Sequence, residues 1–374
     1  MNRLSALSAP SAAVIRDTGE FQDLREEWNG LLDASGSWTP FLTWEWMWAW
    51  WTHLRENATL HIVTVRSEGQ LIAIAPLMTV RRGISVPRLE FIGIGAAGAD
   101  YLDVIARKGY EGAALAALSR HLDEQQLSLH LDHLPPNPLV AALTLNGWTA
   151  IESSPDVCPY IDLSGQTWDS YLTSLGSSHR ANFRRRLRGL ESQFTLSFAP
   201  VTSQDERRHT TDALFLFHDQ RWIDCGGSTA FSTTALRAFH QDLTRSALDC
   251  GWLRMYALSL NDRLAAAMYG FARNGRFYFY QHGFDTAYSR HSIGLVLMGL
   301  TIRAAIAEQT RDFDMLYGHE PYKKLWAGRQ RPLGRLMLFP PRLAGRWLQR
   351  RAETRQAVRT FIHRLGLRGS HDVA

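Results

Sequence analysis

Residues 253–282 hold three β-prone runs joined by two turns with almost no slack. The runs 253–260 and 263–272 flank Asn261-Asp262, and 277–282 follows Asn274-Gly275. Two-residue loops of Asn, Asp and Gly supply the positive φ angles of a tight hairpin, so consecutive strands must pair antiparallel. Such a meander has to bury its apolar side chains against something else. The flanking chain offers the cover. Runs 168–175, 178–191, 205–222 and 232–249 read as helices, and 194–198 as a strand. After the meander, 293–308 reads as an apolar helix and 313–317 as a last strand.

The first part of the chain repeats this order of elements without repeating its residues. Phe21, Leu24, Trp28, Leu31 and Leu32 recur at helical spacing. Thr43 is placed to cap a second helix, on which Trp44, Trp48 and Trp51 share one face and most simply build a core. Strands are expected over 60–65 and 71–79 around Ser67-Glu68-Gly69, over 89–94 and over 101–105. A helix over 110–125, a strand over 127–131 and, after the breaker at Pro135, a helix ending near Gly147 complete it. The fold class is α+β, two tandem folds, each a mixed and mostly antiparallel sheet flanked by helices. The expected division is a disordered leader over 1–12, domains over 13–155 and 156–340 meeting near Ser153-Ser154-Pro155, and a basic amphipathic tail over 341–374.

Composition removes several function classes. The formal charge is +5, with much of the excess in 180–188 and the tail. That is not the spread basic face of a general nucleic-acid binder. Cys158, Cys225 and Cys250 are far apart, so neither a zinc site nor a disulfide framework is indicated, and no metal is expected. The start of the chain lacks the apolar core of a signal peptide, and no run of about 18 apolar residues predicts a membrane span. A cytoplasmic protein is expected, with peripheral contact at the inner membrane face through the tail.

Four segments then carry a resemblance. They are Pro40-Phe41-Leu42-Thr43-Trp44-Glu45-Trp46; Ser177-Ser178-His179-Arg180-Ala181-Asn182-Phe183-Arg184-Arg185; Gly283-Phe284-Asp285-Thr286-Ala287-Tyr288 with Ser292-Ile293-Gly294-Leu295; and Phe313-Asp314-Met315-Leu316-Tyr317-Gly318-His319-Glu320-Pro321-Tyr322-Lys323. In this order they resemble the bacterial CelD-like cellulose-biosynthesis group of the GNAT (N-acetyltransferase) superfamily, which is similar to the Fem-type peptidyl transferases. Ile293-Gly294 stands where the group usually has Pro-Gly, and Tyr317 where an Arg is common. The resemblance implies acyl-CoA N-acyltransferase folds, with acetyl-CoA or another acyl-CoA as co-substrate.

Acyl transfer needs a bound pyrophosphate, a polarised thioester and a deprotonated acceptor. Tyr288, Ser289, Arg290, His291, Ser292 and Gly294 lie between a strand and a helix, where orphan N–H groups favour an anion. Ser292 could cap that helix, and Arg290 adds charge. His282 and Glu320 are candidate bases, Tyr322 a donor to the leaving thiolate, and Lys323 an anion stabiliser. Asp285, together with Arg180 and Arg184 on one helix face, are candidate acceptor contacts. The competing readings are a turn-forming Asp, a solvated basic helix and a Glu–Lys surface pair. The resemblance adds Tyr101 and Asp103 near the active cleft. Gly93, Gly95 and Gly98 match a GxGxxG pattern, but a strand rather than a helix is expected to follow, against a dinucleotide site.

The leading reading is an acyltransferase for an amine or hydroxyl acceptor, small or carried on a glycan or lipid, in bacterial exopolysaccharide or envelope assembly. The alternatives are a Fem-like transferase using aminoacyl-tRNA and a non-catalytic scaffold. No specific nucleic-acid partner is otherwise expected.

Overall fold

A computed structural model describes residues 9–81, 86–222, 230–318 and 320–341. Cys225, His319 and the tail beyond Pro341 lie outside them. The chain divides into two compact units, 1–155 with the chain from Leu333 onward, and 156–332.

The first unit begins with strand β1 (Ser11–Ile15), which pairs antiparallel with β3 (Ile62–Ser67). The expected leader is thus already strand by Ser11. Helix α1 (Thr18–Asp23) is capped by the Asp17 carboxylate, which accepts from Gly19 N and Glu20 N. It is followed by α2 (Arg25–Ser35) and α3 (Trp44–Leu54). The Thr43 side chain caps α3 by accepting from Trp46 N. Helix α3 is buried nearly all round, so its polar atoms need partners. Trp44 Nε1 donates to Phe21 O at 2.9 Å, and Trp28 Nε1 of α2 donates to Leu42 O at 2.8 Å. The Trp44 and Trp48 rings stack at 5.0 Å. Glu45 is 4% exposed, yet it accepts from Arg25 and Asn29 at 3.0 Å each. The Pro40–Trp46 segment is therefore an anchor that fastens α3 to α2 (its tryptophans are core).

Strands β2 (Thr59–Leu60), β3, β4 (Gln70–Ala75) and β5 (Leu77–Val80) follow, with β3 and β4 joined through Glu68 and Gly69, both at positive φ. Pro76 interrupts the expected 71–79 strand because it cannot donate to a ladder. Strand β4 stays with β1, β3 and β7 (Ile105–Ala106), whereas β5 pairs with β2 and β6 (Arg88–Phe91). The expected 101–105 strand shrinks to β7, because Tyr101 has φ 57°, outside the strand region. Helix α4 (Glu111–Gln125) and strand β8 (Ser128–Leu134) come next. The helix expected before Gly147 is only a 3₁₀ turn, Leu139–Ala142, directly preceded by Pro138.

The units divide at Pro155, where a boundary was expected, and the chain crosses it within a continuous strand, β9 (Thr149–Asp162). The second unit then has α5 (Trp168–Ser174), α6 (Ser177–Gln193), β10 (Leu196–Pro200), α7 (Gln204–Trp222) and α8 (Thr234–Asp249). The meander is β11 (Leu253–Leu260), β12 (Arg263–Arg273) and β13 (Arg276–Phe284). Helix α9 (Ile293–Ala307), β14 (Asp312–Asp314), α10 (Pro321–Trp326) and β15 (Arg329–Phe339) end the described chain. Strand order in this unit is β10-β11-β12-β13-β14-β9, with β14 parallel to β13. The expected 156–340 domain ends early, since β15 passes into the first unit at Leu333 and there pairs with β8.

Helices α5, α6 and α9 cover one face of the second sheet, packing Phe183, Leu190, Val296 and Leu300 on Met268, Phe277 and Phe279. Gly299 lets α9 come close to α6, because a Cβ there would strike the Phe183 ring. Helices α7 and α8 cover the other face. There His240 is fully buried, its Nδ1 bonded to Tyr269 Oη and its Nε2 3.1 Å from Ala230 O.

Burial lowers the pKa of His240 to about 3 and, in the first unit, that of His61 to about 4. The unfolded imidazoles protonate near pH 6.5, so these groups add stability above that pH and lose it as pH falls through the folded values. His240 alone withdraws on the order of 3 kcal/mol by pH 4. Urea unfolding should show His240→Gln less stable than the parent at neutral pH, with a flatter decline between pH 6.5 and 4.

Candidate active site

The site grows from a defect in the second sheet. Strands β13 and β14 pair at Arg276↔Asp312, Phe277↔Phe313 and Tyr278↔Asp314, and there the ladder stops. Met315 N still donates to Pro159 O, so the chain follows β9 for one more residue. Leu316 then enters the left-handed region (φ 57°), and Asp314 fixes the turn by accepting from Leu316 N at 2.9 Å. Strand β13 runs on to Phe284 with β12 along one edge, and beyond Tyr278 no strand lies along its other edge among the described residues. The two parallel strands part like a fork.

A bulge decides what faces the fork. Tyr269 pairs with Gln281 and Gly270 with Phe279, leaving Tyr280 as the extra residue. A bulge breaks the alternation of side chains along a strand. Tyr280 joins His240 and Tyr269 on the α8 face, while His282 returns to the face of Phe279, their rings 5.2 Å apart. His282 then meets Tyr322 of α10, ring to ring at 5.7 Å.

Lys323 lies beside Tyr322 and is 4% exposed. Its ammonium donates to Tyr317 O at 2.7 Å and Leu316 O at 3.4 Å, and lies 3.1 Å from Glu320 Oε2. An ammonium has three hydrogens; here two carbonyls accept from it and the Glu320 carboxylate adds an ion pair. Lys323 thus holds the loop after β14 against α10, and Glu320 is half of that fastening. Gly318 sits inside it at φ 144°, where a Cβ would collide with both side chains. Trp326 closes the far end of α10 against His179 (4.5 Å) and Phe183 (5.8 Å), and Tyr171 Oη donates to its carbonyl at 3.0 Å.

The loop from β13 to α9 is a short 3₁₀ helix, Thr286–His291. Asp285 is its cap, accepting from Ala287 N at 2.9 Å, and pairs with Arg263 at 3.0 Å, so it is a structural residue of the loop. Tyr288 and His291 pack on Phe194. Ser289 Oγ donates to Thr286 O. Ser292 precedes α9 in the left-handed region and its side chain makes no cap, contrary to expectation. The first N–H groups of α9, those of Ile293 and Gly294, have no intrahelical partner by construction, and Arg290 beside them is exposed. Gly294 faces Phe284, 3.3 Å from where a Cβ would stand.

The remaining candidates lie elsewhere. Arg180 donates to Thr173 O (2.7 Å) and Leu175 O (3.3 Å), tying α6 to the end of α5. Arg184 is exposed on α6. Tyr101 and Asp103 belong to the first unit. Burial raises the Asp103 pKa to about 6 against the pull of three N–H donors, Val140, Leu139 and Val104, so it holds that loop together. The same loop fills the equivalent gap of the first sheet. Parallel strands β6 and β8 pair only at Arg88↔Ser128 and Leu89↔Leu129, after which Leu102 N donates to His133 O and Asp100 binds His133 Nδ1 at 2.9 Å. The fork in the second unit carries no such filling loop among the described residues. Sequence reading passed over the bulge at Tyr280 and the α10 helix; the only local signal for the latter was Pro321 at a helix start.

No curated protein matches the chain in sequence. Residues 177–324 match the family described as acetyltransferase (GNAT) domain. That stretch of the second unit is similar to the family, and the likeness covers less than half of the chain. Similar solved structures extend over both units. FemX has TM-score 0.60 at 9% identity, over 90% of this chain and 99% of its own. A conserved protein of unknown function from Bacteroides thetaiotaomicron has TM-score 0.56 at 13% identity, over 87% and 98%. The C-terminal domain of a putative lysylphosphatidylglycerol synthetase from Agrobacterium fabrum has TM-score 0.54 at 11% identity, over 89% and 96%. The GNAT fold, the fork and the α9 start all fall within the matched stretch. Among the described residues no group of three or more His, Cys, Asp or Glu could hold a metal, and no helix is long and apolar enough to cross a membrane.

If Lys323 fastens the loop, Lys323→Met strands two buried carbonyls, which costs ~1–3 kcal/mol. A surface lysine changes stability by only about 0.5 kcal/mol or less. Urea midpoints of the parent and variant separate the two roles.

Proposed function

We propose that the protein transfers an acyl group, most simply acetyl, from acyl-CoA to an amine or hydroxyl acceptor, and that the donor binds in the second unit. The fork between β13 and β14 carries this reading. It leaves one edge of β13 for an extended ligand to run along, and it ends beside His282 and Tyr322. The start of α9 fits a pyrophosphate: two helix-start N–H groups and the exposed Arg290.

In this reading His282 takes the acceptor proton as the acceptor attacks the thioester carbonyl. Tyr322 gives a proton to the leaving thiolate as the carbon–sulfur bond breaks. Lys323 and Glu320 act by positioning Tyr322 rather than on the substrate. Tyr288 and His291 brace the loop that presents the anion site. Arg184 is left as an acceptor contact, and the filled gap around Tyr101 and Asp103 argues for a single donor site. The CelD-like grouping and a role in envelope or exopolysaccharide assembly extend this proposal.

A second reading has a specific basis. FemX and the lysylphosphatidylglycerol synthetase domain match over nearly the whole chain, and Fem-type enzymes take their acyl group from aminoacyl-tRNA. One titration separates the two. The parent should bind acetyl-CoA in calorimetry. Gly294→Trp should abolish binding with its circular dichroism unchanged, and Arg290→Ala should weaken it about 3- to 10-fold, the worth of one charge near a phosphate. A parent that binds aminoacyl-tRNA and no acyl-CoA would move the donor to the second reading.

A further inference from the structure

Helix α6 turns Phe183, Leu187 and Leu190 to the core and the opposite side to water. Arg184, Arg185 and Arg188 stand on that outer side, all exposed, with Ala181, Asn182, Gly189, Ser192 and the exposed Glu191 nearest to them along the helix. Arg185 donates to Asn182 Oδ1 and Arg188 to Arg184 O. Among the described residues no carboxylate pairs with any of the three. They are crowded within about 6 Å of helix rise, so their charges add.

The surface is convex and its donors are exposed. A small anion held singly would need converging, desolvated groups, and these arginines do not converge. Several phosphates presented together by an extended partner suit them better. A second feature says which partner. Helix α10 lies against the first turns of α6 through Trp326 on His179 and Phe183. It carries the exposed Lys324 and Leu325, the latter 53% exposed, and Tyr317 just ahead of it is 42% exposed. A dissolved polyanion gains nothing from leucine. A bilayer takes up both features, phosphates against the arginines and apolar side chains among the headgroups.

We propose that this face of the second unit docks on a membrane surface rich in anionic phospholipid. The inference rests on the acyltransfer reading only in what it implies for the substrate. Tyr322 lies between Tyr317 and Leu325, so an acceptor delivered there is one carried on a lipid. Docking itself does not depend on the chemistry.

The test is co-sedimentation of the full chain with vesicles of phosphatidylcholine alone or with one third phosphatidylglycerol, at low salt. The parent should bind the anionic vesicles and leave the neutral ones. The triple variant Arg184→Ala, Arg185→Ala, Arg188→Ala should lose on the order of a hundredfold in partition coefficient, since each interfacial cation contributes about fivefold. Leu325→Asp should lose several-fold with its thermal midpoint intact. Equal binding of parent and triple variant would put the affinity elsewhere, the basic tail included, and overturn the proposal. So would a parent that binds neither vesicle. If the arginine variant fails while Leu325→Asp binds like the parent, the apolar contact that selects a bilayer over other polyanions is absent and the assignment falls. Loss of the donor reading shows in the acetyl-CoA titration instead, so the two fail separately.

Discussion

Three backbone pairs hold β14 to β13, and the site exists because there is no fourth. A parallel ladder can continue only while both strands stay extended. Asp314 ends β14 by spending its carboxylate on the turn: Oδ1 accepts from Leu316 N and Oδ2 from Arg331 Nη1 at 2.9 Å. Arg331 also reaches Asp312 and lies over the Tyr160 ring at 3.6 Å, so the turn is braced on several sides. Once Leu316 has turned away, β13 must present an edge to whatever comes next. The loop, the lysine fastening and the placement of Tyr322 all follow from that departure.

The two units solve the same problem in opposite ways. Each has a pair of parallel strands separated by a helix, and in each the pair comes apart after a few residues. In the first unit the chain itself occupies the gap, with Leu102 bonded to His133 and Asp103 bonded to three backbone N–H groups. That loop pays in backbone strain, with Tyr101 and His133 both left-handed, and gains a closed sheet. In the second unit the gap stays open among the described residues.

Much of the architecture was legible because it is local. Asn274-Gly275 and Asn261-Asp262 set strand neighbours whatever surrounds them, and Thr43 caps α3 through its own side chain. The segments with chemical interest were legible too, but their roles were not. Asp285, Arg180 and Lys323 carry residue types that could serve a substrate, and in the structure they serve carbonyls, a cap and an ion pair. The chain passes between the two units at Pro155, as expected, but does so within the continuous strand β9. Residues 101–105 read as a strand, yet Tyr101 turns left-handed between Asp100 and Leu102, both bonded to His133 of β8.

The sequence by itself therefore determined the order of elements, the tight turns, the apolar faces and the separation into two α+β units. Those depend on neighbours within a few residues, where φ preferences, capping and periodicity act. Only the tertiary structure decided where β13 and β14 part, that the bulge at Tyr280 brings His282 round to Tyr322, and which of two similar forks stays open. Each of those turns on hydrogen bonds between residues tens of positions apart, and a shift of one residue in register reverses the face of every side chain beyond it.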